Sequence, residues 1–323
     1  MLVVGDNGAG KTNLLESLHL ATQGFSPRTR ADAQVIRFGE IAARVALAGR
    51  RDETRIEVSV TLREAQAKEA RLNGARLASA ESLRRELSTL VFTPDRLAVV
   101  KAGPAARRAY FDRVLARLLP ARAGVPQDYA AALAQRNAAL RRAQLGLSTR
   151  AAVDPWTERV AETGGRLVEA RRGTVRALSP GFAERADELG LPEGRLRYDA
   201  EAPTRAALEA RLARDAERGT TGLGPHLDDV EIASGTRDLR RYGSQGEQRL
   251  AVLALLLAEA ELLPLRPLLL LDDVLSELDP GRRRVLAARV ASMGGQALVT
   301  ATQRSSLPRD PDQLVEVNPG HAR

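Results

Sequence analysis

The stretch from Tyr242 to Asp279 decides the fold; it begins YGSQGEQRL and ends LLLLDDVLSELD. Residues 244–248, SQGEQ, place a hydroxyl and small, flexible residues just before an apolar helical run at 250–263. The free N–H groups and positive dipole end of such a helix favour a phosphate ligand. The run is apolar nearly all round, which predicts a buried helix, and Pro264 and Pro267 predict its end.

A continuous aliphatic segment follows at Leu268–Leu271 and predicts a central parallel strand that is covered on both faces. It ends in Asp272 and Asp273, at the carboxyl edge where open α/β sheets bind their ligands. On its own, an aspartate pair after four leucines could equally mark a plain transition from strand to loop.

A second motif favours the ligand-binding interpretation. Residues 5–12 read GDNGAGKT, the pattern G-x-x-x-x-G-K-T, between an apolar strand and a helical segment. The loop amides are predicted to wrap the α- and β-phosphates of ATP, while a lysine reaches the β- and γ-phosphates and a threonine hydroxyl binds Mg²⁺. The predicted ATP-binding residues of this loop are Gly5, Asp6, Asn7, Gly8, Ala9, Gly10, Lys11 and Thr12.

The remaining site residues come from the opening stretch. Asp272 is predicted as the second Mg²⁺ anchor beside Thr12, and Asp273 as the group that orients or deprotonates the attacking water. Ser244, Gly246 and Glu247 are predicted to bind ATP phosphate at the helix start. The predicted catalytic residues are Asp273, Lys11 and Ser244.

The spacing of these motifs predicts a dimer. The helix that follows Ser244 begins far along the chain from the phosphate loop, so its phosphate-seeking end lacks an obvious ligand in its own subunit. A two-fold dimer in which each such helix caps the partner's nucleotide would satisfy both ends.

Composition narrows the class of protein. The 323-residue chain has no cysteine, which excludes disulfides, zinc fingers and thiol catalysis. Its net charge of +8 favours a polyanionic partner, although arginine is scattered everywhere, which also fits a compositional bias. No segment is apolar over the length of a membrane span and no signal peptide is visible, so we expect a soluble, cytoplasmic protein without a membrane partner.

The coarse organisation is an α/β head interrupted by helices. Residues 39–62 alternate as β-strands, and Asn73-Gly74 predicts a hairpin, so an antiparallel β layer joins a mixed sheet. Residues 88–93 and 296–302 predict further buried strands, and the tail from Pro308 predicts a short edge strand. From residue 104 the periodicity becomes helical. We therefore predict a P-loop ATPase head over residues 1–103 and 220–323, with an inserted helical lobe at 104–219.

Several single residues carry weaker hypotheses. Trp156 is predicted to be a core residue of the helical lobe. His226, followed closely by two aspartates, suggests either a metal site or, more commonly for a lone histidine in a turn, a structural role. Met1–Val4 is short for a strand that must pair on both sides, so we expect the native protein to begin upstream of Met1.

Taken together, GxxxxGKT, SQGEQ, LLLLDD and SELD resemble the ATP-binding cassette (ABC) ATPases. FTPDRLAVVKAGPAARRAYFD at residues 92–112, GPHLDD at 224–229, YGSQGEQR and DDVLSELD make the chain resemble, more specifically, the RecF family, which is related to the SMC proteins. This resemblance covers nearly the whole chain. It identifies Ser276–Asp279 as the D-loop that meets the partner subunit.

The resemblance implies an ATP-dependent clamp of recombinational repair that serves DNA replication, DNA repair and the SOS response to DNA damage. Such a protein dimerises on ATP at DNA gaps or stalled forks, at duplex or single/double-strand junctions. It assists recombinase loading through RecO and RecR. It is a weak, DNA-stimulated ATPase whose slow hydrolysis resets the dimer.

Three departures from the wider ABC pattern stand out. Asp273 replaces the usual glutamate, although paired aspartates are usual in the RecF family. The shorter side chain of Asp273 suggests slow turnover. Thr300 or Thr302 stands where transporters carry a switch histidine. The family starts about two dozen residues earlier, which leaves the adenine contacts open.

The sequence leaves two alternatives open. One is the nucleotide-binding subunit of a membrane transporter, which the long interval between Thr12 and Ser244 disfavours; the other is a catalytically silent fragment. The residues that contact DNA are unknown from the sequence, and Arg107 and Arg108 are candidates that could equally lie on a solvated helix face. Since aromatic residues are scarce and most should be core, we expect arginine contacts to the DNA backbone.

Overall fold

The computed structural model describes residues 1–29, 31–51, 53–318 and 321–322. Their backbone contacts divide the chain into two compact units, residues 1–96 with 263–323 and residues 97–262. The segments 97–103 and 220–262 thus pack with the helical unit. The predicted ATPase head, residues 1–103 and 220–323, is a functional domain, whereas these two units are defined by packing. Its boundaries therefore stay a prediction.

The described residues form both strands and helices, as expected for an α/β protein, with four successive strands at residues 42–76 and four successive helices at residues 98–188. The strands are β1 (Leu2–Val4), β2 (Ala42–Arg51), β3 (Thr54–Arg63), β4 (Glu69–Leu72), β5 (Ala75–Arg76), β6 (Thr89–Phe92), β7 (Gly194–Arg197), β8 (Glu231–Ser234), β9 (Arg237–Asp238), β10 (Leu268–Leu271), β11 (Ala297–Ala301), β12 (Leu314–Asn318) and β13 (His321–Ala322). The helices are α1 (Lys11–Gln23), α2 (Leu83–Glu86), α3 (Ala98–Lys101), α4 (Pro104–Leu118), α5 (Val125–Gln144), α6 (Asp154–Glu188), α7 (Arg205–Ala210), α8 (Leu212–Arg218), α9 (Leu239–Tyr242), α10 (Gln245–Leu262) and α11 (Pro280–Ser292).

The first unit contains a six-stranded sheet in the order β13-β12-β1-β11-β10-β6. The aliphatic strand β10 lies between β11 and β6 and is parallel to both, as its continuous leucine run predicts. The phosphate-loop strand β1 is also internal, because β11 and β12 pair with its two sides. The parallel strands place the carboxyl ends of β1, β10 and β11 side by side.

One strand prediction in this sheet is wrong. The tail strand, predicted at the edge, is internal: β12 pairs with β1 on one side and with β13 on the other. The edge position is taken by the antiparallel β13. The tail residues look polar in sequence because Glu316 and Asn318 alternate with the buried Val317.

The antiparallel β layer is confirmed as a four-stranded sheet in the order β2-β3-β4-β5. Asn73 and Gly74 form the two-residue hairpin between β4 and β5, with φ of 49° and 82°. Both values are positive, as the type I′ turn requires. The inner face of this layer packs its Val58, Val60 and Leu62 side chains with Leu20 of α1.

The second unit is built on α10, α6, α5 and α4. Helix α10 is buried from Gln248 to Ala260, which confirms the prediction from its apolar sequence. Helix α6 has 35 residues, and it continues past Pro180. The buried side chains of Phe182 and Ala186 hold the segment after the proline, because tertiary packing stabilises a helix more than local propensity does.

Two aromatic predictions have different outcomes. Most aromatic side chains are in the core, as expected; the buried ones are Phe92, Phe111, Phe182, Tyr110, Tyr129 and Tyr198. The prediction for Trp156 is wrong, since its side chain lies at the surface near the start of α6. Helical periodicity identifies an apolar stripe, but a large residue at its margin can remain exposed.

A buried ion pair links helices of the second unit. The Arg136 guanidinium and the Asp215 carboxylate are 2.8 Å apart and fully buried. Arg136 also donates to the hydroxyls of Thr221 and Thr157, at 2.7 and 3.1 Å. These neutral hydroxyls accept hydrogen bonds from the guanidinium, which needs such partners when it is removed from water.

We predict that Asp215→Ala lowers the free energy of unfolding by about 3–5 kcal/mol, because Arg136 would remain as an uncompensated buried charge. Chemical denaturation of the full chain measures this loss. The matched control is Glu209→Ala, which removes an exposed partner of Arg205 and should have a far smaller effect. Equal losses in the two variants would contradict the prediction.

Candidate functional site

The phosphate loop, residues 5–10, connects β1 to α1 and depends on its glycines. A Cβ added to Gly5 would lie 2.3 Å from the Val317 carbonyl oxygen, so a larger residue would push the loop off β12. Gly8 and Gly10 adopt φ of 83° and 109°, which L-residues rarely adopt. An added Cβ at Gly8 would meet nothing within 4 Å, so this side of the loop is open to a ligand.

Lys11 lies at the start of α1 and is folded onto its own loop. Its Nζ donates to the carbonyl oxygens of Gly5 and Asp6, at 2.6 and 2.9 Å. No side chain caps the N-terminus of α1 at Gly10. The loop therefore combines an ammonium group with uncapped helix amides, which is the chemistry that a nucleotide phosphate requires.

The buried carboxylate of Asp272 joins three elements of the first unit. Thr12 Oγ1 of α1 donates to it at 3.0 Å, and Thr300 Oγ1 of β11 donates at 2.8 Å. Thr300 also accepts a hydrogen bond from the Asp273 backbone N–H at 2.9 Å. The predicted pair of Thr12 and Asp272 is thus adjacent, and the structure selects Thr300, rather than the exposed Thr302, as the threonine of the site.

This arrangement fits ATP with Mg²⁺. A hydroxyl and a carboxylate lie side by side at the foot of the glycine loop, and both are the hard oxygen ligands that Mg²⁺ prefers. The described residues contain no cluster of three or more His, Cys, Asp or Glu side chains that could hold a metal alone. Mg²⁺ usually completes its coordination with phosphate oxygens and water, so the arrangement is compatible with the predicted metal ligands Thr12 and Asp272, which stay a prediction.

Asp273 follows with an exposed side chain and an unusual backbone. Its φ of 49° lies in the left-handed region, which aspartate tolerates better than most residues. The bond from its N–H to Thr300 holds this conformation, and its carbonyl accepts from Ser276 Oγ at 3.1 Å. The backbone turn leaves the Asp273 carboxylate exposed, and its predicted catalytic role stays a prediction.

The SQGEQ segment of the second unit forms a reciprocal helix cap. Ser244 Oγ accepts from the Glu247 N–H at 3.2 Å, and Glu247 Oε2 accepts from the Ser244 N–H at 2.8 Å. This is a capping box, and the sequence pattern S-x-x-E is its signature. Ser244, Gln245 and Gly246 are exposed at the start of α10, so the predicted phosphate-facing residues occupy a preformed helix N-terminus.

Glu247 is held in its charged form. The Ser244 N–H, followed by the Arg237 guanidinium 2.8 Å away, lowers the pKa of the Glu247 carboxyl. The carboxylate therefore stays ionised and committed to the cap at neutral pH. This explains Glu247 as a residue that shapes the helix end, whereas direct contact with ATP stays a prediction.

The predicted D-loop, Ser276–Asp279, leads into α11. Asp279 is its N-cap: the side chain accepts from the Arg282 N–H at 3.0 Å. That backbone bond is the main cause that lowers the pKa of the Asp279 carboxyl. The acidic residue of this motif thus has a local structural role, independent of any partner subunit.

His226 has a structural role. Its Nδ1 is 2.7 Å from the Tyr129 hydroxyl, and its Nε2 is 3.0 Å from the Thr221 carbonyl oxygen. A carbonyl can only accept, so Nε2 carries the proton and Nδ1 accepts from tyrosine. Burial lowers the pKa of His226, which keeps the ring neutral. The metal hypothesis for this turn finds no support among the described residues.

Of the two candidate DNA contacts, Arg107 is corrected by the structure, whereas Arg108 is half-buried and stays a prediction. Arg107 is buried and forms a bidentate pair with Asp229, with both N–O distances 2.6 Å. Arg108 donates to the Asp228 carbonyl oxygen at 2.6 Å. Arg107 lies on neither a solvated face nor a DNA surface. A sequence alone does not show that a distant aspartate in GPHLDD pairs with it.

The phosphate loop, the aspartate-ended neighbouring strand and the capped SQGEQ helix define an ABC-type P-loop ATPase fold with an added helical unit. Comparison with known proteins narrows the class. The RecF/RecN/SMC N terminal domain family matches residues 1–322. This chain belongs to the RecF family.

Two relatives show the extent of the match. The DNA replication and repair protein RecF of Heliobacterium modesticaldum (strain ATCC 51547 / Ice1) is 35% identical over 332 residues, covering 97% of this chain and 88% of that protein. RecF of Anaeromyxobacter dehalogenans (strain 2CP-C) is 40% identical over 329 residues, covering 94% and 86%. The similarity therefore includes both units and nearly all of each relative.

Solved structures agree with this assignment. The recombination mediator protein RecF-ATP in the RecFOR pathway aligns with a TM-score of 0.86 at 27% identity, covering 100% of this chain and 90% of that one. The SMC head bound to the C-winged helix domain of ScpA has a TM-score of 0.58 at 18% identity, covering 100% and 88%, and shares the fold. The first similarity supports ATP binding, and the predicted binding residues of the phosphate loop stay a prediction.

These matches favour RecF over the transporter subunit, the alternative that the sequence leaves open. Among the described residues, no helix is both long and apolar enough to cross a membrane. The predicted fold class, a mixed α/β ATPase head with an antiparallel layer and inserted helices, is confirmed.

The hydrogen bonds of Thr300 generate a test of the site. Thr300→Val keeps the side-chain shape but removes the bonds to Asp272 and Asp273. We expect an activity or Mg²⁺ affinity about 10–100-fold lower, as is typical when a residue that orients a metal ligand is lost. ATPase rates measured across a Mg²⁺ titration give both values.

The matched control is Thr302→Val, two residues further along and exposed. It should leave the rates within about twofold of the unmodified chain, since substitutions at exposed positions rarely matter. If both variants behave alike, the hydroxyl of Thr300 does not position Asp272.

Proposed function

We propose that this chain is an ATP-gated DNA clamp of recombinational repair, in which two subunits share two ATP sites. The observation that carries the proposal is the exposed, preformed N-terminus of α10 at Ser244, Gln245 and Gly246. Such an end favours an anion, and the γ-phosphate of ATP bound to the partner subunit is the anion that a two-fold dimer brings to it.

Each subunit contributes one half of each shared site. The loop amides and Lys11 bind the phosphates, and Lys11 exchanges its bonds to Gly5 and Asp6 for the ligand. Thr12 and Asp272 hold Mg²⁺, which when bound neutralises phosphate charge and polarises the bond that hydrolysis breaks. Asp273 orients the attacking water, and Ser244 of the other subunit closes over the γ-phosphate.

Hydrolysis in this scheme is a switch. Loss of the γ-phosphate removes the anion that holds the exposed end of α10 against the partner, so the dimer opens. Asp273 is one methylene shorter than the glutamate usual in ABC ATPases, which supports slow turnover. DNA bound to the closed dimer favours that state and thereby stimulates the ATPase reaction.

Membership of the RecF family supports a cellular role in DNA repair. RecF relatives are DNA replication and repair proteins, and a RecF structure is described within the RecFOR pathway. We propose that this chain closes on DNA at gaps or stalled forks in the cytoplasm, including during the SOS response. There it assists recombinase loading together with RecO and RecR. The net charge of +8 supports binding to DNA by charge.

Complementation between two inactive variants tests the shared site. Lys11→Ala removes productive phosphate binding, and Ser244→Arg places a bulky cation at the signature helix. Each homodimer should be nearly inactive. In a mixed dimer, one site combines the intact Lys11 of one chain with the intact Ser244 of the other, so mixing should restore ATPase activity to about half of the unmodified rate per dimer.

Two controls make the result decisive. Ser244→Ala removes the cap hydroxyl without adding bulk. Its thermal unfolding reports the destabilisation that loss of the cap alone causes, which we expect to be about 1 kcal/mol. Nucleotide crosslinking in a tagged mixed dimer reports which of the two chains contributes the start of α10, at residue 244, to the bound ATP. The shared site would be refuted if mixed dimers form but the ATP bound at Lys11 of one chain crosslinks only to residue 244 of that same chain.

A further inference from the structure

The outer face of the antiparallel layer carries six arginines. Strand alternation separates the two faces: Val58, Val60 and Leu62 of β3 are buried, while the residues between them point outward. The outward arginines come from all four strands, and we call this surface the arginine face. Its members are Arg44, Arg50, Arg55, Arg63, Arg71 and Arg76.

Carboxylates neutralise only part of this charge. Glu69 pairs with Arg71 at 2.9 Å, and hydrogen bonding from Arg71 is the main cause that lowers the pKa of Glu69. Glu57 pairs with Arg55 at 2.6 Å and Glu53 with Arg50 at 3.0 Å, and Glu69 also lies 4.0 Å from Arg63. Within the part of the chain that the structure describes, Arg44 and Arg76 form no ion pair. The face therefore keeps a positive excess, and two of its guanidinium groups are outside ion-pair distance of a carboxylate, although Arg76 is close enough to help lower the pKa of Glu69.

The floor between the arginines is made of small side chains. Ala46, Ala48 and Ser59 lie opposite or next to one another across β2 and β3. Together with Arg44, Arg71 and Glu57, whose carboxylate is paired with Arg55, they line a shallow groove of about 320 Å³. Protein partners are usually anchored by large apolar or aromatic side chains, and the outward positions of β2 and β3 carry none. A backbone of closely spaced phosphates suits this surface better.

We propose that the arginine face binds the sugar-phosphate backbone of duplex DNA, with Arg44 and Arg76 as direct phosphate contacts. This assignment rests on the proposed DNA-binding function and adds the surface that performs it. From Arg44 to Arg50 the strand spans roughly 20 Å at about 3.4 Å per residue, which corresponds to about six base pairs of duplex. The contacts carry no base readout, so binding is independent of sequence.

The test compares Arg44→Ala/Arg76→Ala with the unmodified chain on a mixed-sequence duplex of roughly 30 base pairs, across a salt titration with ATP and Mg²⁺ present. Each lost phosphate contact should reduce the slope of log affinity against log salt by about 0.9, which is about eightfold in affinity at 0.1 M salt. The double variant should therefore bind roughly 60-fold more weakly. Arg44→Lys/Arg76→Lys keeps both charges and should bind nearly as well as the unmodified chain.

The matched control is Arg205→Ala/Arg304→Ala, which removes the same net charge from positions outside this face and should keep the slope. Protection of Arg44 and Arg76 from arginine-selective modification by the duplex provides a second readout on the unmodified chain. If the chain binds duplex but the slope is unchanged and Arg44 and Arg76 are not protected, the assignment of DNA binding to the arginine face is overturned. The proposed DNA-binding function would not be affected.

Two other outcomes have different meanings. If the unmodified chain binds no duplex, the proposed function fails together with the face. If an acidic polypeptide protects Arg44 and Arg76 while duplex does not, the face belongs to a protein partner and the proposal is overturned.

Discussion

The hydrogen-bonded carboxylate of Asp272 is the interaction on which the ATPase site depends. One buried side chain ties the first turn of α1 to the ends of β10 and β11 through the hydroxyls of Thr12 and Thr300. A carboxylate is expensive to bury unless its oxygens are satisfied. The site is therefore assembled by the same bonds that make the burial tolerable, and Thr300 extends them to the backbone of Asp273.

Parts of this arrangement are predictable because they depend on local chemistry. The loop at residues 5–12 needs glycine where φ is positive, and four consecutive leucines at 268–271 can hardly be other than a buried strand. Asn73-Gly74 specifies its own turn. The S-x-x-E pattern at Ser244 specifies its own cap, so the N-terminus of α10 can be predicted from the sequence although its ligand cannot.

The rest depends on contacts between residues distant in sequence. Arg107 looks like a surface arginine until Asp229, far along the chain, pairs with it. Helix α6 continues past Pro180 because its last turns are buried, which outweighs the local cost of proline. The Thr300 contact could be suspected from a threonine at a strand end, but choosing it over Thr302 requires the register of β11 against β10.

The shared ATP sites require that ATP drives two chains together, and the mass of the protein in solution tests this directly. Sedimentation of the purified chain without nucleotide, with ATP and Mg²⁺, and with added duplex DNA compares the three states. We expect a single 34.8 kDa chain without nucleotide and a species of twice that mass with ATP, further populated by duplex. One unchanged species in all three states, under conditions where ATP binding is demonstrated, would contradict the shared-site dimer.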